Sequence, residues 1–463
     1  MAEMADAKGE LEQECTETVD GQPGQKKKRL DESTDSNNHI KISDLNQFCL
    51  EKIFAHLSLE DLLDVSDSNK YLKSATRMPF VWNYAGKSVR IDQEETIHYS
   101  TVKGIIIFES YTDIRKHPGD EDIVIVDLKK GFQMVRCFGG LITELNLRFF
   151  SFYKKNSSEN YKRLVSYIDE FCAESLKKVS LDEGWGIEYL EKPFSNVEDL
   201  TIHALINFEE KCLSSLFPKM NRLHLNGFLE DKLSVLSEYF PNLQDLKLRC
   251  HSVLVFDNLA TIFQLNPNIR SLEIGTCNFN NFNSFSEHYL QSIESLYIHS
   301  FKVQEYDNSI HFSNVKKFKI RYSLCNINAP SLTKIPFSFS ELKEFEIDCF
   351  HTFPGFFINF INENPMIEKL TFTRYGLLKN VLVTEDLVAV LPFLKEIIFD
   401  RAIQNTRNAL PTLLPYLESL RRFTFRTRDT DEEIRAGCGD KWRFYRHEEY
   451  NRIVTLEPNE ANV

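Results

Sequence analysis

Apolar residues recur along this chain in one spacing, Leu-x-x-Leu-x-Leu, and the clearest copy is Ile269-x-x-Leu272-x-Ile274-x-x-Cys277, followed by Asn278 and Phe279. Twelve copies can be centred, on Leu145, Val179, Leu200, Leu223, Leu246, Leu272, Leu296, Phe318, Phe345, Leu370, Ile397 and Phe423. After a first gap of 34 residues, the centres follow one another every 21 to 27 residues. Three residues before each centre the position is apolar, from Ile142, Leu176 and Val197 through to Leu420, and two residues after it is apolar again, from Leu147 to Phe425. Centre, polar, apolar is the alternation of a strand with one buried face. Between the strands, Leu229–Tyr239, Leu259–Leu265 and Phe356–Ile361 carry helical spacing, and Pro241, Pro267 and Pro365 stop those helices before the next strand. Around Val303–Asn314 and Ile327–Ser340 the helical spacing fails, so those returns are predicted to be extended or irregular.

A unit this short cannot bury its own apolar face, so the units are expected to stack on a shared core. The spacing resembles that of leucine-rich repeats, whose period is about 20–29 residues, with Cys277 where such repeats carry Asn or Cys. The predicted class is therefore α/β, a leucine-rich-repeat solenoid shaped as a horseshoe, with its parallel sheet on the concave face and a small all-α unit before it. Five segments follow: a disordered tail over 1–40, the helical unit over 41–86, divergent capping repeats or connector over 87–140, about twelve repeats over 141–428, and a cap and tail over 429–463. In the connector, Val89–Ile91, Ile105–Phe108, Ile123–Val126 and Phe132–Cys137 read as short strands, and a helix is predicted over Glu159–Cys172. Trp442–Tyr445 and Arg452–Leu456 read as a closing cap over the last repeat.

Within the helical unit, Leu50, Ile53, Phe54 and Leu57 fall on one helix face, and Ser58 is placed to cap a second helix carrying Leu62, Leu63 and Val65. This stretch resembles an F-box: Leu45, Leu50, Ile53, Phe54, Leu57, Ser58, Asp61, Leu62 and Trp82 match that pattern position by position. It departs at Asn46, at Phe48 and at the polar run Asp67-Ser68-Asn69, which stands where the family is apolar. An F-box followed by leucine-rich repeats resembles the F-box/leucine-rich-repeat family. That resemblance implies docking on a Skp-type adaptor, and through it on a cullin scaffold, with the repeats capturing a protein substrate for ubiquitin transfer. The adaptor-binding residues it points to are Leu45, Leu50, Ile53, Phe54, Leu57, Leu62, Leu63 and Trp82. Unpaired polar groups at buried positions are costly, so Asp67–Asn69 implies either that this helix packs differently or that the adaptor binds less tightly.

The outward positions of the repeats suggest a substrate surface. His224, Lys247, Arg249 and Tyr297 form a candidate basic and aromatic patch for an acidic or phosphorylated segment, extended by Lys319 and Arg321. The competing account is neutralisation between neighbouring strands, since Lys317, Lys319 and Arg321 face a row of Glu344, Glu346 and Asp348.

Charge and composition narrow the classes. A net charge of −13 and a pI near 5.5 disfavour a nucleic-acid or anionic-membrane binder. No apolar run is long enough to span a bilayer and no signal-peptide core opens the chain, which points to the cytoplasm or nucleus. Lys26–Arg29 is a candidate import signal or a solvated charge run. The ten cysteines are spaced singly, as in a reduced compartment. There is no phosphate-cradling loop, no His-Glu-x-x-His and no nucleophile elbow, so neither an enzyme, a metal nor a cofactor is expected. Two further readings stay open: a non-ligase scaffold or inhibitor with a degenerate F-box, and a nucleic-acid or export factor suggested only by Lys26–Arg29.

Overall fold

The alternation of the repeats is realised as strands in a computed structural model of the chain. Described are residues 42, 45–93, 114–115, 123–125, 128–149, 155–181, 187, 189–203, 212–228, 236–250, 254–255, 257–278, 290–302, 310–322, 335, 337–349, 356–373, 390–402, 406–417, 420–447 and 452–459. The chain divides into two units, Met1–Asn46 and Gln47–Val463. In the first, only Ile42, Leu45 and Asn46 are described, and the Leu45 amide donates to the Ile42 carbonyl at 3.4 Å.

The second unit opens with three helices, α1 (Gln47–Phe54), α2 (Leu59–Ser68) and α3 (Lys70–Tyr84). Strands follow in chain order: β1 (Val89–Gln93), β2 (Ile114–Arg115), β3 (Ile123–Ile125), β4 (Glu144–Phe149), β5 (Lys178–Leu181), β6 (Asp199–His203), β7 (Arg222–Phe228), β8 (Asp245–Cys250), β9 (Leu254–Val255), β10 (Ser271–Asn278), β11 (Ser295–Lys302), β12 (Ile310–Phe312), β13 (Lys317–Tyr322), β14 (Phe337–Phe339), β15 (Glu344–Cys349), β16 (Lys369–Thr373), β17 (Glu396–Ala402), β18 (Arg422–Arg426), β19 (Trp442–Arg446) and β20 (Ile453–Pro458). The helices α4 (Leu128–Phe138) and α5 (Lys155–Phe171) lie between β3 and β5 in the chain. The fold is α/β, with one large and mostly parallel sheet.

Strand pairing gives the order of that sheet. From β4 to β18 the main strands pair in chain order, all parallel. Each predicted centre is the direct Cα partner of the next, from Leu145 opposite Val179 to Ile397 opposite Phe423. A slip of one residue would turn every buried side chain outward, so the three-point apolar pattern holds the register. The single irregularity in β7 falls at Gly227, whose φ of +76° favours glycine, between Asn226 and Phe228. At the far end β20 runs antiparallel to β18, and β19 antiparallel to β20.

At the near end the order departs from the chain. β1 lies between β4 and β3, parallel to both, and β2 runs antiparallel on β3. These strands are therefore not successive units leading into the repeats. The run Phe132–Cys137, predicted as a strand, is helical within α4. Its buried residues Gly131, Met134, Val135 and Phe138 recur every three to four positions, a helical period that its short apolar clusters disguise. The predicted strand Ile105–Phe108 lies outside the described residues. The irregular return segments contain β12 and β14, which pair parallel in a separate two-stranded sheet.

Two features recur in the turns before the strands. Six residues ahead of the centre stands a buried apolar side chain: Phe194, Phe217, Phe240, Leu290, Phe312, Phe339 and Leu391 do this. Asn266 and Asn364 take that place in two units, both before proline and both buried. The Asn266 amide donates to the Ile262 and Glu238 carbonyls, and its oxygen accepts from the Phe240 amide at 2.7 Å. A second asparagine, one residue before the first apolar position, ties units together. Asn196, Asn242, Asn268 and Asn314 each donate to a carbonyl of the preceding unit, at Glu174, Pro218, Pro241 and Gln291. The core between sheet and returns is rich in aromatic pairs. Phe318 lies 5.7 Å from Phe345, Phe345 lies 4.6 Å from Phe360, and Phe372 stacks on Phe399 at 5.0 Å.

Candidate functional site

The three N-terminal helices sort their apolar residues into core and surface. Leu50 and Phe54 of α1, Leu59, Leu62 and Leu63 of α2, and Ala75 and Phe80 of α3 are buried. Ser58 caps α2, its Oγ accepting from the Asp61 amide at 3.1 Å. Four of the residues assigned to adaptor binding, Leu50, Phe54, Leu62 and Leu63, thus form the interior of this bundle. Leu57 is half-buried beyond the end of α1, and Leu45, also half-buried, belongs to the N-terminal unit.

Ile53 and Trp82 are exposed, each at 46 %. Around them stand Phe48, 64 % exposed, and Met78, 41 % exposed. The Lys52 ammonium bridges the two helices, 5.5 Å from the Phe48 ring and 5.0 Å from the Trp82 ring. Met78 and Trp82 are one turn apart on α3, with Tyr71 two turns before Met78 on the same side. Phe48 and Trp82 thus neighbour one another through Lys52, with Met78 one turn before Trp82 and Ile53 exposed on α1 about 140° round from Phe48, and clustered exposed apolar side chains mark interaction surfaces. Phe48 and Met78 were not singled out as site residues. Phe48 lies off the Leu50–Phe54–Leu57 stripe, and that offset was the available signal.

The polar run of α2 has partners. Glu60, Asp64 and Asp67 fall on one side of α2 and meet Lys130, Gln133 and Arg136 of α4. Lys130 lies 2.6 Å from Asp64 and 3.5 Å from Glu60. Burial disfavours the Lys130 charge, but hydrogen bonds and attraction from these carboxylates outweigh it and raise its pKa. Arg136 pairs with Asp67, and Gln133 donates to Asp67 at 3.1 Å. Ser68 donates to the Val65 carbonyl, and Asn69 caps α3 by accepting from the Tyr71 amide at 2.7 Å. Phe80 stacks on Phe138 at 4.3 Å in the same junction. Asp67–Asn69 therefore packs α2 against α4 and starts α3, away from the Phe48–Trp82 face.

On the sheet, the outward residues assigned to substrate binding lie on neighbouring strands. Their centre is Glu273 of β10, only 6 % exposed. Arg249 of β8 donates to Glu273 Oε1 from Nε at 2.9 Å and from a terminal nitrogen at 2.6 Å. His299 Nε2 of β11 donates to the same oxygen at 2.6 Å, and Lys247 lies 3.6 Å from the other. Burial resists ionisation of Glu273, yet the His299 and Arg249 hydrogen bonds and the nearby positive charges prevail and hold its carboxyl at about 2. Burial, and then the Arg249 charge, push His224 down to about 4. The His224 Nε2 is buried with no hydrogen-bond partner among the described residues. Tyr297 stacks on His299 at 4.2 Å, and burial with the Glu273 and Asp348 charges raises its pKa to about 12.

Lys319 lies over the Tyr297 ring at 4.8 Å and pairs with Glu346 at 2.5 Å, while Arg321 faces Asp348 at 3.6 Å. Lys317 pairs with Glu344, Lys369 with Glu396 and Arg426 with Asp400 along the same face. The structure brings the six candidate residues onto one face, and the cations among them each meet a carboxylate. The Glu273 hub was visible in the sequence only as one outward residue among twelve. Its reach to Arg249 and His299 crosses from one strand to both neighbours and depends on geometry that spacing does not supply.

Among the described residues no cluster of His, Cys, Asp and Glu is placed to hold a metal ion, and no helix is long and apolar enough to cross a membrane. Cys49, Cys137, Cys172, Cys212 and Cys438 are free thiols, and burial raises Cys172 and Cys438 to about 12. The side chains of Cys250, Cys277 and Cys349 lie outside the described residues. Comparison with known sequences finds no matching family model and no matching curated protein.

Proposed function

We propose that this chain is the substrate-recognition subunit of a Skp–cullin–F-box ubiquitin ligase, with an F-box over 41–86 and leucine-rich repeats over 141–428. The observation that carries the reading is the exposed apolar face of α1 and α3. Phe48, Ile53, Met78 and Trp82 stand ready for a partner, on a bundle whose own core is filled by Leu50, Phe54, Leu62 and Leu63. Apolar and aromatic anchors of this kind dominate protein interfaces. The match to the F-box pattern at Leu45, Ile53 and Trp82 supports a Skp-type adaptor as that partner, and through it a cullin scaffold. The polar residues that depart from the pattern serve the α2–α4 junction, so they leave the face intact.

The outward strand face, with His224, Lys247, Arg249, Tyr297, Lys319 and Arg321, is the proposed surface for a protein substrate. Because each of those cations meets a carboxylate, it favours a partner carrying charges of both signs over a purely acidic one. In this role the chain has no catalytic residue and needs no cofactor; it contributes proximity between substrate and transferred ubiquitin. The compartment proposed is cytoplasm or nucleus. Lys26–Arg29, the candidate import signal, lies outside the described residues.

The test is co-expression of the full chain with a Skp-type adaptor, followed by size-exclusion chromatography. A one-to-one complex is expected, lost in the double variant Ile53→Asp, Trp82→Ala. Each side chain is about half-exposed, so the variant is scored only after circular dichroism shows the fold of the unchanged chain, with Phe48→Ala as a second, more exposed substitution. A folded chain that elutes without adaptor would end the ligase reading and leave a stand-alone binding scaffold.

A further inference from the structure

A groove lies where α2 meets α4 and α5. It has a volume of about 390 Å³ and is lined by Asp67, Leu128, Lys129, Phe132, Gln133, Arg136, Arg163 and Tyr167. That volume lies at the lower end of the range for specific ligand sites, about 300–1,000 Å³. Three cations face one carboxylate here, on a chain whose net charge is −13. The lining thus carries more positive than negative side chains on an acidic chain, an arrangement that attracts anions.

The cations differ in their engagements. Arg136 is paired with Asp67. Arg163 meets no carboxylate among the described residues. Its guanidinium lies 5.4 Å from the Phe132 ring and 5.7 Å from the Tyr167 ring, and it donates a long hydrogen bond, 3.4 Å, to the Tyr167 hydroxyl. Phe132 and Tyr167 meet edge to face at 5.4 Å, which fixes the two rings as a frame. Arg163 is exposed in that frame. A guanidinium packed on aromatic faces is pre-oriented, and most of its five donors remain for a planar anion. Leu128 and the ring faces supply apolar contact beside it.

We infer that this groove binds an acidic peptide segment of a partner protein, seating a side-chain carboxylate on Arg163 and an apolar or aromatic neighbour against Phe132 and Leu128. The combination favours peptide over a simple anion, because an inorganic ion would use the charge and leave the apolar wall uncovered. The inference stands apart from adaptor docking, since it uses α4 and α5 and not the Phe48–Trp82 face.

Fluorescence anisotropy on the full chain tests it, with a labelled peptide alternating Asp, Glu and Phe as probe and its Asn, Gln and Phe counterpart as control. Saturable binding of the acidic peptide is expected at about 0.05 M salt, weakening as the Debye length shrinks towards about 0.5 M. Arg163→Ala should lower affinity about tenfold, and Arg163→Lys should fail to restore it, because a lysine keeps the charge without the flat stacking surface. Arg428→Ala, a surface change near the other end of the sheet, should bind as the unchanged protein does. Equal binding of the neutral peptide, full affinity in Arg163→Ala or Arg163→Lys, or no saturation up to about 1 mM peptide would each overturn the proposal.

Discussion

Replacing Glu273 with Gln isolates the hub of the strand face. The carboxylate is nearly buried, takes two hydrogen bonds from Arg249 and one from His299, and lies 3.6 Å from Lys247. Its carboxyl falls from an ordinary 4.5 to about 2 in the folded chain. At about 1.4 kcal/mol per pKa unit that displacement corresponds to roughly 3 kcal/mol. Glutamine keeps the shape and one acceptor, but its amide group would face cations. Because Arg249 and Lys247 are themselves 40 % exposed, water recovers part of their loss, and the expected cost at pH 7 is about 2–3 kcal/mol. A depressed carboxyl pKa gives stability that is complete above the unfolded value and disappears as pH falls through the folded value. The gap between Glu273→Gln and the unchanged chain should therefore be widest above about pH 5 and close progressively towards about pH 2. Urea titrations across that range, paired with hydrogen exchange of β8, β10 and β11, give both the size and the place of the effect. A change under about 0.5 kcal/mol at pH 7, or one that does not narrow with acid, would refute the account of Glu273 as the charge that binds three strands.

Other substitutions probe other levels. His224, held near 4, should stay neutral by NMR down to about pH 5, and its contribution is present above the unfolded value of about 6.5 and lost as pH falls towards the folded one; an ordinary titration near 6.5 would contradict its burial beside Arg249. Asn266→Ala removes an amide that satisfies three backbone groups and should cost about 2–3 kcal/mol by chemical denaturation. Gly437→Ala would set a Cβ 2.6 Å from the Thr406 carbonyl oxygen, so it should destabilise the contact between the helices Thr406–Leu413 and Asp431–Cys438, seen as faster exchange there. Under native alkylation, exposed Cys212 should react well before Cys172, whose thiol is buried and raised to about 12.

The strand stack was legible because its signal is redundant: three apolar positions per unit, repeated in one register, leave little room for a slip between Leu145 and Phe423. The N-terminal strands lacked that redundancy. Nothing in Val89–Ile91 or Ile123–Val126 says that β1 would insert between β3 and β4. Phe132–Cys137 misled because its apolar pairs suit a strand locally, while the helical period appears only over the longer span of α4. At the candidate adaptor face, periodicity grouped Ile53 with Phe54, yet one is exposed and the other buried. Adjacent residues on a helix are about 100° apart, and sequence does not say which side the other helices cover. On the sheet, row-by-row neutralisation was readable from Lys317 and Glu344, whereas the convergence of Arg249 and His299 on Glu273 needed the strands in place.

A parallel stack has a hazard that its ends must answer, since every added strand presents the same unsatisfied backbone to whatever comes next. Beyond β18 the sheet continues with the last strand of the chain, β20, which runs antiparallel, and then with β19, which runs parallel to β18 again and carries Arg443 and Arg446. A second copy approaching that rim meets a strand that carries charged side chains, Arg443 beside Glu457 and Arg446 beside Asp431, and charges on an edge strand oppose further pairing. The closing hairpin thus covers the edge of β18 with strands that break the parallel stacking of the repeats. A chain cut after Arg428 would expose β18 as a bare parallel edge, and its expected behaviour is end-to-end growth into filaments.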